Sequence, residues 1–316
     1  MTWILYAIDE FACHYCHGSM SVMGKVIASK VYQPELVHDA AAELGESPVW
    51  DARLGRLWWT DLLRGELHGY DVTHGPLEPL PIGQSLGFVA LESGGALLAG
   101  TREGLGLLDE SFELRVPVER DSPQRRMSDG KCDLQGRAWG GTLHDIDRVD
   151  GRLYRLDSGW RLNLVREDLK VPNGLAWSGD GERMYITDSE GPTVEAWRYD
   201  QESGVPTERL HAITIEPGAG QPDGMTIDED DCVWIALWGG GAVRRYSPEG
   251  ELLLQIQVPC TLVTSVTFGG DDLTDLYITT ARYRMSPEKL ASEPHAGGIF
   301  RYRPGVRGRL ANVYVC

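Results

Sequence analysis

The fold class that this sequence predicts is all-β, and three observations support it. Beyond residue 40, almost no stretch shows the spacing of apolar residues that is typical of an amphipathic helix. Short runs rich in β-branched and aromatic residues follow one another instead, separated by Gly, Asp, Asn and Pro. One such run also recurs six times. The pattern indicates a protein built from many short antiparallel strands.

The recurring runs set the architecture. They begin at residues 57, 96, 138, 184, 233 and 276, so successive copies are 39 to 49 residues apart. A period in the forties that contains about four short strands is typical of a β-propeller blade. Six copies occupy nearly all of the chain beyond residue 40 and leave no room for another domain. We therefore predict a single six-bladed β-propeller over residues 26–316.

A second strand follows most of the runs and often ends in an aromatic residue. One blade cannot bury both faces of its sheet alone, so these aromatic side chains are predicted to pack between neighbouring blades. The strand ends are Tyr70, Tyr154, Tyr199, Tyr246 and Tyr302.

Composition excludes several classes of partner. The chain has 316 residues, 30 Lys plus Arg against 47 Asp plus Glu, and a net charge of −17, which would repel nucleic acid. No apolar run approaches the roughly 20 residues of a membrane helix. We expect neither nucleic acid nor a membrane as a partner, and a monomer or a weak homo-oligomer.

The cysteines and the N-terminus favour a cytoplasmic protein. Six cysteines are few for this length and are not spaced like a disulfide scaffold. Asp9 and Glu10 lie where a signal peptide would need an uninterrupted apolar core. Cytoplasmic localisation is therefore the expectation.

The N-terminal segment contains Cys13-His14-Tyr15-Cys16-His17, which matches the pattern for covalent attachment of c-type haem. The segment is short, lies outside every repeat and follows no secretory signal. We interpret residues 1–25 as a disordered extension rather than a haem site, with adventitious metal binding as a further alternative.

The repeat also predicts where a site would lie. The innermost strand of each blade should precede each run at a fixed offset and line the central channel. Four of the six segments at this offset contain a residue followed by Gly, and the first blade has Glu46 at the corresponding point. The four residues before Gly are Leu86, Asp129, Asn173 and Asp223.

Three carboxylates and one amide would therefore converge at one end of the channel. Like charges this close in low dielectric repel strongly unless a cation neutralises them. Oxygen donors favour Ca²⁺, Mg²⁺ or Mn²⁺, and carboxylate-rich sites also bind Zn²⁺ or Fe²⁺. Singly, Asn-Gly and Asp-Gly are common turn dipeptides. Their recurrence at the blade period favours a site for one divalent metal ion.

At this point the motifs resemble a known family, that of regucalcin (senescence marker protein), gluconolactonases and luciferin-regenerating enzymes. The resemblance covers roughly residues 40–304 and rests on several motifs in the family's order. The principal ones are Gly45-Glu46-Ser47-Pro48-Val49-Trp50, Arg126-Met127-Ser128-Asp129-Gly130-Lys131, Asn173-Gly174-Leu175-Ala176-Trp177 and Pro222-Asp223-Gly224-Met225.

The resemblance implies roles for individual residues. Glu46, Asn173 and Asp223 would bind the metal, and Asp223 would also act as the general acid/base. Arg126 would hydrogen-bond the substrate, and Asp129 would lie behind the ligands.

The chain departs from the family pattern at two places. Ser128 stands where many relatives have Asn, and Leu143-His144-Asp145-Ile146 stands where some relatives have a substrate-binding Glu. Because Ser128 is a shorter donor, we expect its contact with the substrate to pass through a water.

These features predict a metal-dependent lactonase, with a sugar lactone as its small-molecule substrate. The metal would polarise the lactone carbonyl, and Asp223 would move the proton of the attacking water. A serine hydrolase is disfavoured because the G-x-S-x-G match at Gly83-Gln84-Ser85-Leu86-Gly87 is followed by a β-rich run, whereas a nucleophile elbow needs a helix after the serine. Phosphotriester hydrolysis at the same site, and a non-catalytic calcium-binding regulator or scaffold, remain as alternatives.

Overall fold

The computed structural model describes residues 33–122, 124–144 and 150–316. Six sheets, antiparallel except for the pairing of the last strand, make up this part of the chain, which confirms the predicted six-bladed propeller. The N-terminal segment with the haem-like motif lies outside the described residues. No helix in the described ranges is long and apolar enough to cross a membrane.

The first strand, β1 (Glu35–His38), belongs to the last blade, and the first three blades follow it in chain order. Blade 1 contains β2 (Gly45–Asp51), β3 (Arg56–Asp61), β4 (Glu66–Asp71), β5 (Gly75–Pro76) and β6 (Leu80–Pro81). Blade 2 contains β7 (Leu86–Glu92), β8 (Leu97–Thr101), β9 (Gly104–Leu108) and β10 (Phe112–Pro117). Blade 3 contains β11 (Arg125–Cys132), β12 (Ala138–His144), β13 (Gly151–Asp157) and β14 (Arg161–Leu169).

The other three blades repeat this order. Blade 4 contains β15 (Pro172–Trp177), β16 (Arg183–Asp188), β17 (Thr193–Asp200) and β18 (Val205–Thr214). Blade 5 contains β19 (Gln221–Ile227), β20 (Val233–Trp238), β21 (Ala242–Tyr246) and β22 (Leu252–Gln257). Blade 6 contains β23 (Val263–Gly269), β24 (Asp275–Thr280), the helix α1 (Pro287–Ser292) and β25 (Ile299–Tyr302); the last strand, β26 (Val313–Tyr314), follows.

Both ends of the described chain pair with blades that are distant from them in sequence. Strand β1 pairs with β25 and becomes the outer strand of blade 6, with Leu36 opposite Phe300. Strand β26 pairs in parallel with β7 of blade 2, with Val313 opposite Leu91. The six recurring runs are the second strands of the blades, and the segments predicted to be innermost are the first strands.

The core lies between blades. Six of the buried apolar clusters each join two adjacent sheets, one at each junction of the ring among the described residues. The large side chains of Trp59, Trp139 and Trp234 are fully buried. Inner strands such as β2 and β7 are buried along their whole length, whereas the outer strand β10 alternates between half-buried and exposed residues. Packing between blades therefore accounts for most of the aromatic content.

Helix α1 is the one helix in the described residues, and the sequence analysis did not predict it. Ser286 caps its N-terminus by accepting a hydrogen bond at Oγ from the Lys289 amide, and Pro287 occupies the first turn. Six residues are too few to produce a helical period.

Candidate metal and substrate site

A β-bulge interrupts each inner strand at its channel-facing residue. The pairing register shifts between Glu46 and Val49 in β2, between Pro172 and Leu175 in β15, and between Pro222 and Met225 in β19. Bulges bend a strand and redirect its side chains. The Asn-Gly and Asp-Gly pairs are therefore strand residues at bulges, and the alternative that they form turns is wrong.

The glycines of these pairs allow neighbouring inner strands to approach each other. A Cβ added to Gly174 would lie 2.5 Å from the Asp223 carbonyl oxygen, and one added to Gly224 would lie 2.0 Å from Ser265 Oγ. A side chain at either position would push two inner strands apart. The X-Gly pattern is thus the consequence of six strands meeting at a narrow axis.

A cavity of about 440 Å³ opens over this ring. Glu46, Asp129, Asn173 and Asp223 line it together. The three carboxylic residues are only 7%, 5% and 4% exposed respectively. The structure therefore brings together the four oxygen-bearing residues that the repeat predicted.

Burial and mutual repulsion perturb these carboxyl groups. Loss of hydration and the charge of Asp129 raise the pKa of Glu46 to about 8. Burial, with the charges of Glu46 and Asp129, raises the pKa of Asp223 well above its usual range. Burial also raises the pKa of Asp129, which the positive charge of Lys131 opposes. A bound cation would lower these pKa values again, because it stabilises the charged form of each carboxyl group.

One of the two carboxylate oxygens of Asp223 is available to a ligand. Its Oδ1 is buried and has no hydrogen-bond partner among the described residues. Asn173 donates its Nδ2 to Ser189 Oγ at 3.2 Å, which leaves its Oδ1 for another partner. A buried oxygen without a partner is costly unless a ligand binds it. This donor set fits a hard divalent metal ion.

The backbone beside Glu46 is strained. Ser47 has a positive φ of 49°, which is uncommon for a residue other than glycine. Its amide donates to Glu46 Oε2 at 3.2 Å, and its hydroxyl donates to Asp129 Oδ1 at 3.3 Å. This conformation holds two of the three carboxylates, and strain of this kind is concentrated at functional sites.

Comparisons with known proteins agree with the architecture. The family model described as SMP-30/Gluconolactonase/LRE-like region matches residues 44–282. The chain belongs to this family. The resemblance inferred from the motifs is thereby confirmed.

Two relatives and one solved structure place the chain within the SMP-30/gluconolactonase family. A 6-deoxy-6-sulfogluconolactonase of Pseudomonas putida is 35% identical over 290 residues, which are 90% of this chain and 97% of the relative. A pentonolactonase of Haloferax volcanii is 38% identical over 247 residues, which are 78% and 84% of the two chains. The crystal structure of a calcium-binding protein, regucalcin, of Agrobacterium tumefaciens superimposes with a TM-score of 0.84 at 26% identity, covering 91% of this chain and 99% of that one.

The two substrate residues that the family resemblance indicates both line the cavity. Arg126 is half-buried and donates from Nη1 to the Met127 carbonyl at 3.1 Å. Its charge also lowers the pKa of Glu46. Ser128 is buried and donates its hydroxyl to the Pro172 carbonyl at 2.7 Å. The hydroxyl proton of Ser128 is therefore used in joining two blades.

Several residues of the cavity wall were not predicted. Leu62, His144, Trp238 and Tyr283 line it, and the rings of Trp238 and Tyr283 lie 6.1 Å apart. Nδ1 of His144 is buried and has no hydrogen-bond partner in the described part of the chain. Most of these residues lie at or just after the end of a second strand. Because each second strand is antiparallel to its inner strand, the end of the second strand lies beside the start of the inner strand. The same blade period could therefore have predicted these wall residues.

A second acidic cluster lies in blade 1. One ligand atom from each of Asp61, Glu66 and His68 lies within 4.8 Å of the others. Asp61 already accepts hydrogen bonds from the amides of Glu43 at 2.7 Å and Leu44 at 3.3 Å. His68 Nε2 lies 3.1 Å from Glu66 Oε2. These contacts hold the segment that leads into β2, and they give the cluster a structural role.

Proposed function

We propose that this protein is a divalent-metal-dependent lactonase that opens a sugar lactone to its aldonic acid. The observation that carries the proposal is the unpartnered, buried Oδ1 of Asp223 in a cavity shared with Glu46 and Asn173. The names of the two lactonase relatives support the reaction class. The metal-binding part is supported by the donor set and by the calcium-binding regucalcin structure.

Each residue has a chemical task in this reaction. Glu46, Asn173 and Asp223 would hold the metal, which when bound supplies a Lewis acid for the lactone carbonyl. Water adds to the carbonyl carbon as Asp223 takes its proton. The bond between that carbon and the ring oxygen then breaks, and Asp223 returns the proton to the oxygen that leaves. The products are a carboxyl group and a hydroxyl group, so atoms and charge balance.

The cavity suits a small polyol with one less polar face. Trp238, Tyr283 and Leu62 form an apolar wall, against which the C–H face of a sugar ring can pack. Arg126 supplies hydrogen-bond donors for substrate hydroxyls or for the ring oxygen. These contacts orient the carbonyl over the metal ligands.

A lactone panel with metal replacement tests the proposal. Protein stripped of metal is assayed for acid release after addition of Ca²⁺, Mg²⁺, Mn²⁺, Zn²⁺ or Fe²⁺, with non-enzymatic hydrolysis subtracted. The panel includes gluconolactone, a pentonolactone and 6-deoxy-6-sulfogluconolactone. The last two are chosen because two relatives are named as lactonases of these compounds. Turnover that returns with metal is the expected result, and no turnover with any ion contradicts it.

The calcium-binding regucalcin structure also favours a second candidate, a non-catalytic calcium-binding propeller. Calcium binding measured by calorimetry without turnover of any lactone would support that candidate. An organophosphate in the same panel tests the remaining alternative from the sequence analysis, hydrolysis of a phosphotriester.

A further inference from the structure

A second cavity of about 250 Å³ lies below the carboxylates. It is lined by the later residues of the inner strands, such as Lys131 and Thr226, and by the C-terminal segment at Leu310 and Asn312. The upper cavity is lined by the earlier residues of the same strands. Asp129 lines both cavities, so its carboxyl group lies at the boundary between them.

Lys131 places a cation beneath the carboxylates. Its Nζ donates to the Met225 carbonyl at 2.5 Å, which links β11 of blade 3 to β19 of blade 5 across the axis. Burial lowers the pKa of Lys131, and the charge of Asp129 opposes that effect. The charge of Lys131 in turn lowers the pKa of Asp129. The lysine and Asp129 therefore interact at the floor of the site, and Asp129 in turn acts on Glu46 and Asp223.

We propose that Lys131 is the fixed counter-charge of the metal site and tunes it toward divalent ions over ions of higher charge. The proposal rests on the metal-binding part of the proposed function. Arg126 is the other cation near the carboxylates, but it lines the upper cavity, where the substrate is proposed to bind. Lys131 lines the lower cavity, and its bond to the Met225 carbonyl fixes its ammonium group.

The reason for selectivity is electrostatic. The repulsion between the ammonium group and a bound ion is proportional to the charge of that ion. Loss of the lysine charge should therefore strengthen binding of a trivalent ion about 1.5 times as much, in free energy, as binding of a divalent ion. Distance and dielectric cancel from this ratio.

Calcium and terbium test this ratio because the two ions have similar radii and different charges. Ca²⁺ binding is measured by calorimetry and Tb³⁺ binding by luminescence on metal-stripped protein. In Lys131→Met, and in Lys131→Gln, which keeps a hydrogen-bond donor, we expect Ca²⁺ to bind about tenfold more tightly and Tb³⁺ about 30-fold more tightly. Lys131→Arg should resemble the parent. Lys170→Met, at an exposed lysine, is the matched control.

The outcomes separate this proposal from the function itself. If the parent binds Ca²⁺ and hydrolyses lactones but neither neutral variant changes either affinity, the counter-charge proposal is overturned alone. Weaker binding of both ions in the Met and Gln variants also overturns it, because Lys131 would then act only by supporting Met225. A parent that binds neither ion overturns both the proposal and the metal part of the function.

Discussion

The hydroxyl of Ser128 donates a 2.7 Å hydrogen bond to the backbone carbonyl of Pro172, the residue before Asn173. This bond joins the inner strands of blades 3 and 4 beside the candidate metal ligands. Ser128→Ala should therefore lower the free energy of unfolding by about 1–2 kcal/mol, because it leaves a buried carbonyl without its donor. Urea unfolding measures this loss. Ser111→Ala, at an exposed serine, should cause no comparable change.

Asp223→Asn separates metal binding from proton transfer. The amide oxygen can still coordinate, but it cannot take a proton at neutral pH. We expect kcat to fall by about 10²- to 10⁴-fold while part of the metal is retained, and Asp223→Ala to lose both. Steady-state kinetics at saturating metal, with metal content measured in parallel, test this expectation. Near-parental turnover in the Asn variant would remove Asp223 from the mechanism.

Arg126→Ala should weaken substrate recognition without removing the metal. Loss of a charged hydrogen bond typically costs about 2–3 kcal/mol, so kcat/KM should fall roughly 30- to 150-fold. Kinetics and metal analysis on the same preparation measure the two effects. Arg126→Lys keeps the charge and serves as the control. Loss of metal or of the fold in the Ala variant would instead assign Arg126 a structural role.

The stability of the metal-free protein should fall as pH rises from about 4.5 to about 8. Glu46 has a pKa of about 8 in the folded chain and an ordinary value of 4.5. An acid whose pKa is raised by folding contributes stability below its unfolded pKa and loses it as the pH passes through the folded pKa. Urea unfolding at several pH values measures this slope, and Glu46→Gln should flatten it. Excess Ca²⁺ should restore stability most at the high end, and a slope unchanged in Glu46→Gln would contradict the assignment.

Removal of residues 1–25 should leave folding and lactone turnover nearly unchanged, because the propeller is predicted to begin after them. Removal of residues 1–38 is the matched comparison, since it also deletes β1 from blade 6. We expect a clear loss of thermal stability only in the longer deletion. An inactive or insoluble shorter deletion would show that the segment with Cys13 and Cys16 has a role in the fold.

The positions of Glu46, Asn173 and Asp223 could be predicted because a repeated blade converts sequence spacing into position around one axis. The bulges that direct these side chains toward the axis could not be predicted, because an extra residue in one strand leaves the β pattern of the sequence unchanged. The left-handed backbone of Ser47 gives no signal in a residue other than glycine. Whether the three residues bind a metal remains a prediction.

The residues that the sequence analysis did not assign to the site were missed for a different reason. Trp238 and Tyr283 look like packing residues in a chain whose other aromatics are mostly buried in blade junctions. Lys131 belongs to a motif that the sequence analysis places in an inner strand, but its spacing alone does not show that its side chain meets Met225 across two blades. Two residues, Val313 and Tyr314, are too short a strand to predict from pattern, and their partner in blade 2 is more than 200 residues away in sequence.

The pairing of β1 with β25 has a consequence for biosynthesis. Leu36 leaves the ribosome about 260 residues before its partner Phe300. At translation rates of about 5–20 residues per second, this interval lasts roughly 13–50 s. The first strand must stay soluble and unpaired for that time, while earlier blades can already form their own sheets. Ring closure is thus a late event, and a nascent chain stalled before blade 6 would present an open sheet edge to other chains.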